Sequence, residues 1–104
     1  MTSFTGEQTI LDNSIIVAVK DQVSAELAGE VVILNLKSGI YYGLNAVGAR
    51  IWELVKGPKR VDEIRDTILA EYDVEPKRCQ RDLLTLLQEL RAKELIEVKN
   101  GVDA

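Results

Sequence analysis

The stretch Gly39-Ile40-Tyr41-Tyr42-Gly43-Leu44-Asn45-Ala46-Val47-Gly48-Ala49-Arg50-Ile51-Trp52 holds the point at which this chain changes texture. Up to Leu44 the residues are β-branched or aromatic and are broken by glycine, as in a short strand that leaves a turn. After Asn45 the apolar residues recur at helical spacing: Val47, Ile51, Leu54 and Val55 share one face, and Asn45 stands where an N-cap belongs. One strand-to-helix junction therefore divides the chain into a β half and an α half.

Upstream, Ile15, Ile16, Val17 and Val19 precede Lys20-Asp21, and Val23, Ala25 and Leu27 alternate with polar neighbours. Ala28-Gly29 separates them from Glu30–Leu36, and Lys37-Ser38-Gly39 breaks the chain again. Short β-rich runs joined by tight glycine-containing loops read as antiparallel hairpins. The expectation is a three-stranded meander near 22–27, 30–36 and 39–44, with a possible extra strand at 15–20. Residues 1–13 read as a polar, loosely held segment. Downstream, Gly57-Pro58 stops the first helix, and Val61, Ile64, Ile68 and Tyr72 mark a second. Pro76 opens a third, where its missing N–H costs nothing, with Cys79, Leu83, Leu86, Leu87 and Leu90 as its apolar side. Leu95, Ile96 and Val98 form a short closing segment before a polar tail at 100–104. Three strands alone expose an apolar face, so the helices must cover it. The fold expected is α+β: a three-stranded antiparallel sheet followed by three helices, winged helix-turn-helix-like, in one domain over residues 14–99.

Composition narrows the chemistry. The chain has 104 residues, 13 Lys+Arg against 17 Asp+Glu, no His and one Cys. One cysteine excludes an internal disulfide framework and a structural zinc cluster, and the lack of His excludes Ser–His triads and His-ligated metals. No apolar run is long enough to span a bilayer, and the first 20 residues lack a signal-peptide pattern, so the cytoplasm is the expected location. A net charge of −4 argues against a protein built to neutralise phosphates.

Catalytic features are sparse. Cys79 is in register with Leu83, Leu86 and Leu90, which makes it a buried structural thiol, although Lys77, Arg78 and Arg81 lie nearby. Asp62/Glu63/Asp66 and Glu71/Asp73/Glu75 sit near helix ends, where acids favour the macrodipole or solvate a surface. Gly39, Gly43 and Gly48 match no phosphate-binding pattern and suit a turn, a strand and a closely packed helix. The sequence points to a non-enzyme with no cofactor and no metal.

Binding features are clearer. Tyr41 and Tyr42 are adjacent in a strand, so one faces the core and the other does not. In a meander their strand is an edge, with unpaired N–H and C=O groups, and an extended peptide can pair there main chain to main chain. The basic first turns of the third helix admit two readings besides a solvated surface. They could line a cleft beside that edge strand, or Lys77, Arg78 and Arg81 could contact DNA as in a winged helix-turn-helix protein.

The run Gly39–Asn45, followed by Val47-Gly48 and Ile51-Trp52, is similar to the core of PqqD-like proteins. Val61-Asp62-Glu63-Ile64, Tyr72-Asp73-Val74, Cys79, Asp82-Leu83 and Leu90 continue the resemblance, which extends from Val17 to Val98. It implies a RiPP recognition element: a small domain that binds the leader segment of a ribosomally made precursor peptide. In that family the leader adds as an antiparallel strand and lies against the third helix, here Gly39–Leu44 and about 77–93. The segment Tyr41–Trp52 looks most like stand-alone members from lasso-peptide clusters, which act with a separate leader peptidase and a macrolactam synthetase. The second strand lacks the Pro-Glu turn of members serving pyrroloquinoline quinone synthesis, which remains an alternative as a peptide chaperone.

The site expected on these grounds comprises Ile40, Tyr41, Tyr42, Gly43 and Leu44 on the strand and Arg78, Arg81, Asp82, Leu83 and Leu86 on the helix. Backbone pairing would supply affinity, apolar pockets at Tyr41, Tyr42, Leu83 and Leu86 would anchor the peptide, and Arg78, Arg81 and Asp82 would orient it. The expected partners are the precursor leader and a leader peptidase or other modifying enzyme of the same pathway, with no nucleic acid and no membrane.

Overall fold

A computed structural model describes residues 9–100 of the chain. The strands are β1 (Ile15–Ala18), β2 (Gln22–Leu27), β3 (Glu30–Asn35) and β4 (Tyr41–Leu44), followed by α1 (Ala46–Val55). Then come β5 (Lys59–Arg60), α2 (Val61–Glu71), α3 (Pro76–Ala92) and β6 (Ile96–Lys99). The meander is present as β2-β3-β4, antiparallel throughout. Its first turn is the two-residue Ala28-Gly29, with φ of 54° and 84°, the left-handed pair that a tight hairpin requires.

A second antiparallel sheet, β5-β1-β6, was not expected. The extra strand foreseen at 15–20 forms, but as the centre of this sheet and not as part of the meander. Ile15 lies opposite Lys99 on one side and Arg60 on the other. The fold is α+β with three helices and two three-stranded antiparallel sheets, and its likeness to a winged helix-turn-helix is loose. Residues 1–8 of the segment read as loosely held lie outside the described residues. Residues 9–13 are held: Ile10 is buried, Asp12 accepts from Arg65 and Gln80, and Leu11 N–H donates to the Ser14 hydroxyl. Asn100, assigned to the tail, donates through Nδ2 to the Thr9 carbonyl (3.2 Å) and so closes β6 onto this segment.

The helices form where their periodicity places them. Asn45 caps α1, its Oδ1 accepting from Gly48 N–H at 2.9 Å. Gly48 is needed for contact, since a Cβ there would stand 3.0 Å from the Leu44 side chain. The three helical stripes meet the inner faces of both sheets in one core, with Ile16, Ile33, Trp52, Ile64, Leu83 and Leu90 among its fully buried members. A two-pronged Arg50–Glu71 ion pair, both contacts 2.8 Å, ties α1 to the end of α2. Asn35, 3% exposed, joins the two sheets. Its Nδ2 donates to the Glu94 carbonyl (2.8 Å), and its Oδ1 accepts from the N–H groups of Lys37 and Ser38 in the turn before β4.

Candidate functional site

β4 is an edge strand, and its ladder decides which groups are free. The pairs are Val31/Leu44, Val32/Gly43, Ile33/Tyr42 and Leu34/Tyr41, and Asn35 N–H donates to the Ile40 carbonyl at 2.8 Å. In an antiparallel ladder hydrogen-bonded and non-hydrogen-bonded pairs alternate. Counting from Asn35/Ile40, the pairs Ile33/Tyr42 and Val31/Leu44 are the bonded ones. The main-chain N–H and C=O of Tyr41 and Gly43 therefore point away from β3, to the open edge.

Beside that edge lies a groove of about 520 Å³ between β4, the first turns of α1 and the outer side of α3. Its floor is apolar, made by Leu44, Val47, Ile51, Ile68, Leu83 and Leu86, with Val74 at the rim. Polar groups stand along α3: Arg78, Asp82, Thr85 and Glu89. Spacings of three and four residues put these on one helical face. Arg78 and Asp82 form an exposed ion pair (3.6 Å), and Arg81 reaches the same carboxylate at 3.8 Å.

Across one end of the groove, the Tyr42 hydroxyl donates to Glu89 in a short hydrogen bond, and Lys93 Nζ lies 5.8 Å from the Tyr42 ring centre. The bond to Glu89, partial burial and the carboxylate charge together push the Tyr42 phenol up to about 12. This latch ties β4 to α3. Cys79 lies in the floor as a buried thiol, and burial raises its pKa, with a smaller opposing pull from Arg65. A thiol held neutral in this way is a poor nucleophile. No group of His, Cys, Asp and Glu side chains capable of holding a metal occurs among the described residues.

Of the residues singled out in the sequence, Tyr42, Gly43, Leu44, Arg78, Asp82, Leu83 and Leu86 meet around this groove. Ile40 lies in the turn before β4, so the expected strand 39–44 is shorter; Gly39, at φ 74°, makes that turn. Tyr41 is 71% exposed and faces the other side of the sheet, and Arg81 is not among the lining residues. Leu83 is itself 2% exposed, so it shapes the floor from within the core, and Leu86 presents the accessible surface. Val47, Ile51, Val74 and Glu89 were not named as site residues. Glu89 lies three residues after Leu86 and seven after Asp82, and that spacing was the available signal.

The family model for coenzyme PQQ synthesis protein D (PqqD) matches residues 30–96, more than half of the chain. A solved structure of TbiB1 in complex with the TbiA(beta) leader peptide is 45% identical, with a TM-score of 0.72. The match covers 84% of this chain and 99% of that one. A lasso peptide synthetase B1 complexed with the leader peptide has the same fold at 22% identity and a TM-score of 0.64, covering 79% of this chain and 96% of that one. No curated protein sequence matches the chain. The open β4 edge, the apolar groove against α3 and the family match over both elements lead to one conclusion: the chain belongs to the PqqD family.

Proposed function

We propose that this protein is a non-catalytic, cytoplasmic recognition element that binds the leader segment of a ribosomally synthesised precursor and presents it to a processing enzyme in lasso-peptide maturation. The observation that carries this reading is the coincidence of a free strand edge with an apolar groove on the same side of the sheet. A leader strand beside β4 can exchange hydrogen bonds with the N–H and C=O of Tyr41 and Gly43, while alternate side chains drop into the groove. The solved relative at 45% identity is a complex with a leader peptide, which supports leader binding as the role of this chain.

Magnitudes divide the work. Four edge hydrogen bonds at about 1 kcal/mol net each give roughly 4 kcal/mol, which alone is millimolar binding. Micromolar affinity requires about 8 kcal/mol, so two buried apolar anchors at roughly 2 kcal/mol each must supply the rest. The groove, floored by Leu86, Val47 and Ile51, is where such anchors fit. Tyr42, Glu89, Arg78 and Asp82 would fix register by polar contacts.

The test is an anisotropy titration with the leader of the precursor encoded beside the gene, at two salt concentrations. Saturable binding with a shallow salt dependence is expected. Leu86→Ala should weaken it about three- to tenfold, the cost of one partly lost apolar contact, and Tyr41→Ala should have little effect because its side chain faces away. Absence of leader binding, with steeply salt-dependent binding to duplex DNA, would replace this reading by the DNA-binding one.

A further inference from the structure

β2 is covered on neither face. All of its residues after Gln22 are exposed, although Val23, Ala25 and Leu27 are apolar. α1 packs over β3 and β4. Between its flank and β2 runs a cleft of about 300 Å³ whose walls include Ser24, Glu26, Arg50 and Lys56. Edge strands are ordinarily guarded by shortness, charge, proline or a bulge. The edges of the other sheet follow that rule: β5 is the two residues Lys59-Arg60, and β6 is four residues long with Glu97 and Lys99. β4 lies beside the α3 groove. β2 runs six residues without proline or lysine, in an uninterrupted ladder from Gln22/Asn35 to Leu27/Glu30.

The parity of that ladder fixes its free groups. Leu36 N–H donates to the Asp21 carbonyl (2.9 Å), so Val23/Leu34, Ala25/Val32 and Leu27/Glu30 are the pairs bonded to β3. The main-chain N–H and C=O of Ser24 and Glu26 therefore face outward, while Gln22 N–H is taken by the Lys20 carbonyl (2.9 Å). A strand can join only where its own outward groups fall opposite these. A second β2, antiparallel about a twofold axis at Ala25, meets that condition: Ser24 pairs with Glu26 of the second copy, and Glu26 with its Ser24. Val23 and Leu27 then lie opposite each other on both sides of the axis, and Ala25 lies opposite Ala25. No like charges stand face to face. Each Ser24 hydroxyl can donate to the carboxylate across from it, with the cations Arg50 and Lys56 in the cleft behind. An axis at Glu26 would oppose two carboxylates, and one at Ser24 would set Leu27 against Asp21, so the Ala25 register is favoured.

We infer that the protein pairs with a second copy of itself through β2, joining two three-stranded sheets into one in the order β4-β3-β2-β2-β3-β4. This interface is isologous and closed, so it stops at two copies. Both β4 edges stay free, and the pairing does not depend on what β4 binds. It is smaller than the about 800 Å² per partner of a standard interface. Two bonded pairs, each exchanging two hydrogen bonds, and two Val–Leu contacts correspond to dissociation on the order of 0.1 mM.

Sedimentation of the full chain at concentrations spanning that value should show a reversible shift from 11.6 kDa to twice that mass. Ser24→Pro removes an outward N–H and leaves the β3 ladder intact. It should fold by circular dichroism and dimerise at least tenfold more weakly. Ala25→Cys tests the register on an exposed side chain. Cα atoms of a non-hydrogen-bonded antiparallel pair lie about 4.5 Å apart, within disulfide range, so mild oxidation should convert this variant to a covalent dimer. Leu27→Cys, also exposed but far from its own copy across the axis, should not cross-link, and native Cys79 is buried. A wild type that stays monomeric over the whole range overturns the inference, as does an Ala25→Cys variant that cross-links no faster than Leu27→Cys. A dimer that is dissociated by the leader of the precursor encoded beside the gene would lie on β4 and overturn the choice of strand.

Discussion

Tyr41 and Tyr42 have the same side chain and opposite roles, because a strand alternates its faces. Tyr42 packs on the core and donates to Glu89; Tyr41 stands in solvent on the outer face. The pair was legible in the sequence as one residue in and one out. Which was which depended on register, and register is set by the Ala28-Gly29 turn and by Asn35. The latch has a pH signature. Only the neutral phenol donates, and its pKa is raised from 10.0 to about 12. Its stabilisation is therefore full below about pH 10 and is lost as pH rises toward 12. Tyr42→Phe should be slightly less stable than wild type at neutral pH, by about 0.5–1 kcal/mol for one exposed hydrogen bond. The difference should shrink above pH 10, and paired urea titrations at pH 7 and pH 11.5 measure it. A gap that is constant with pH would mean the hydroxyl contributes nothing through Glu89.

At the scale of the element, β4 acts through its backbone. Proline is tolerated on an edge strand when its missing N–H faced outward. Gly43→Pro removes one outward donor and leaves the β3 pairing untouched. It should fold normally by circular dichroism and bind leader at least fivefold more weakly, about 1 kcal/mol for one lost hydrogen bond. Unchanged leader affinity would remove β4 from the binding site. The strands and helices were readable where periodicity extends over several residues, as in 22–27 or the α3 stripe from Cys79 to Leu90. β5 was not, since two residues, Lys59 and Arg60, carry no period. Nor was the pairing of β1 with β6, because Ile15 and Lys99 lie at opposite ends of the chain and local pattern says nothing of such contacts.

The whole molecule is two sheets held to one helical core, and Asn35 is the polar joint between them. Its amide serves Glu94 in one direction and the turn before β4 in the other, so it links core assembly to the placement of the binding edge. Asn35→Ala removes three hydrogen bonds, to the Lys37 and Ser38 N–H groups and the Glu94 carbonyl, and should cost about 1–3 kcal/mol, read as a lower urea midpoint, with weaker leader binding as the β4 turn loosens. A loss of stability with no loss of binding would separate the two functions. The groove was only half legible, because its walls come from elements far apart in sequence, and residues such as Val47 and Val74 carry no mark of function on their own. The central claim, that a leader joins β4 as an added strand, is tested most directly by residue-resolved amide exchange with and without leader. The amides of Tyr42 and Leu44 should be protected in both states, and those of Tyr41 and Gly43 should become protected only when leader is bound. Saturable binding that leaves Tyr41 and Gly43 exchanging as freely as before would contradict strand addition.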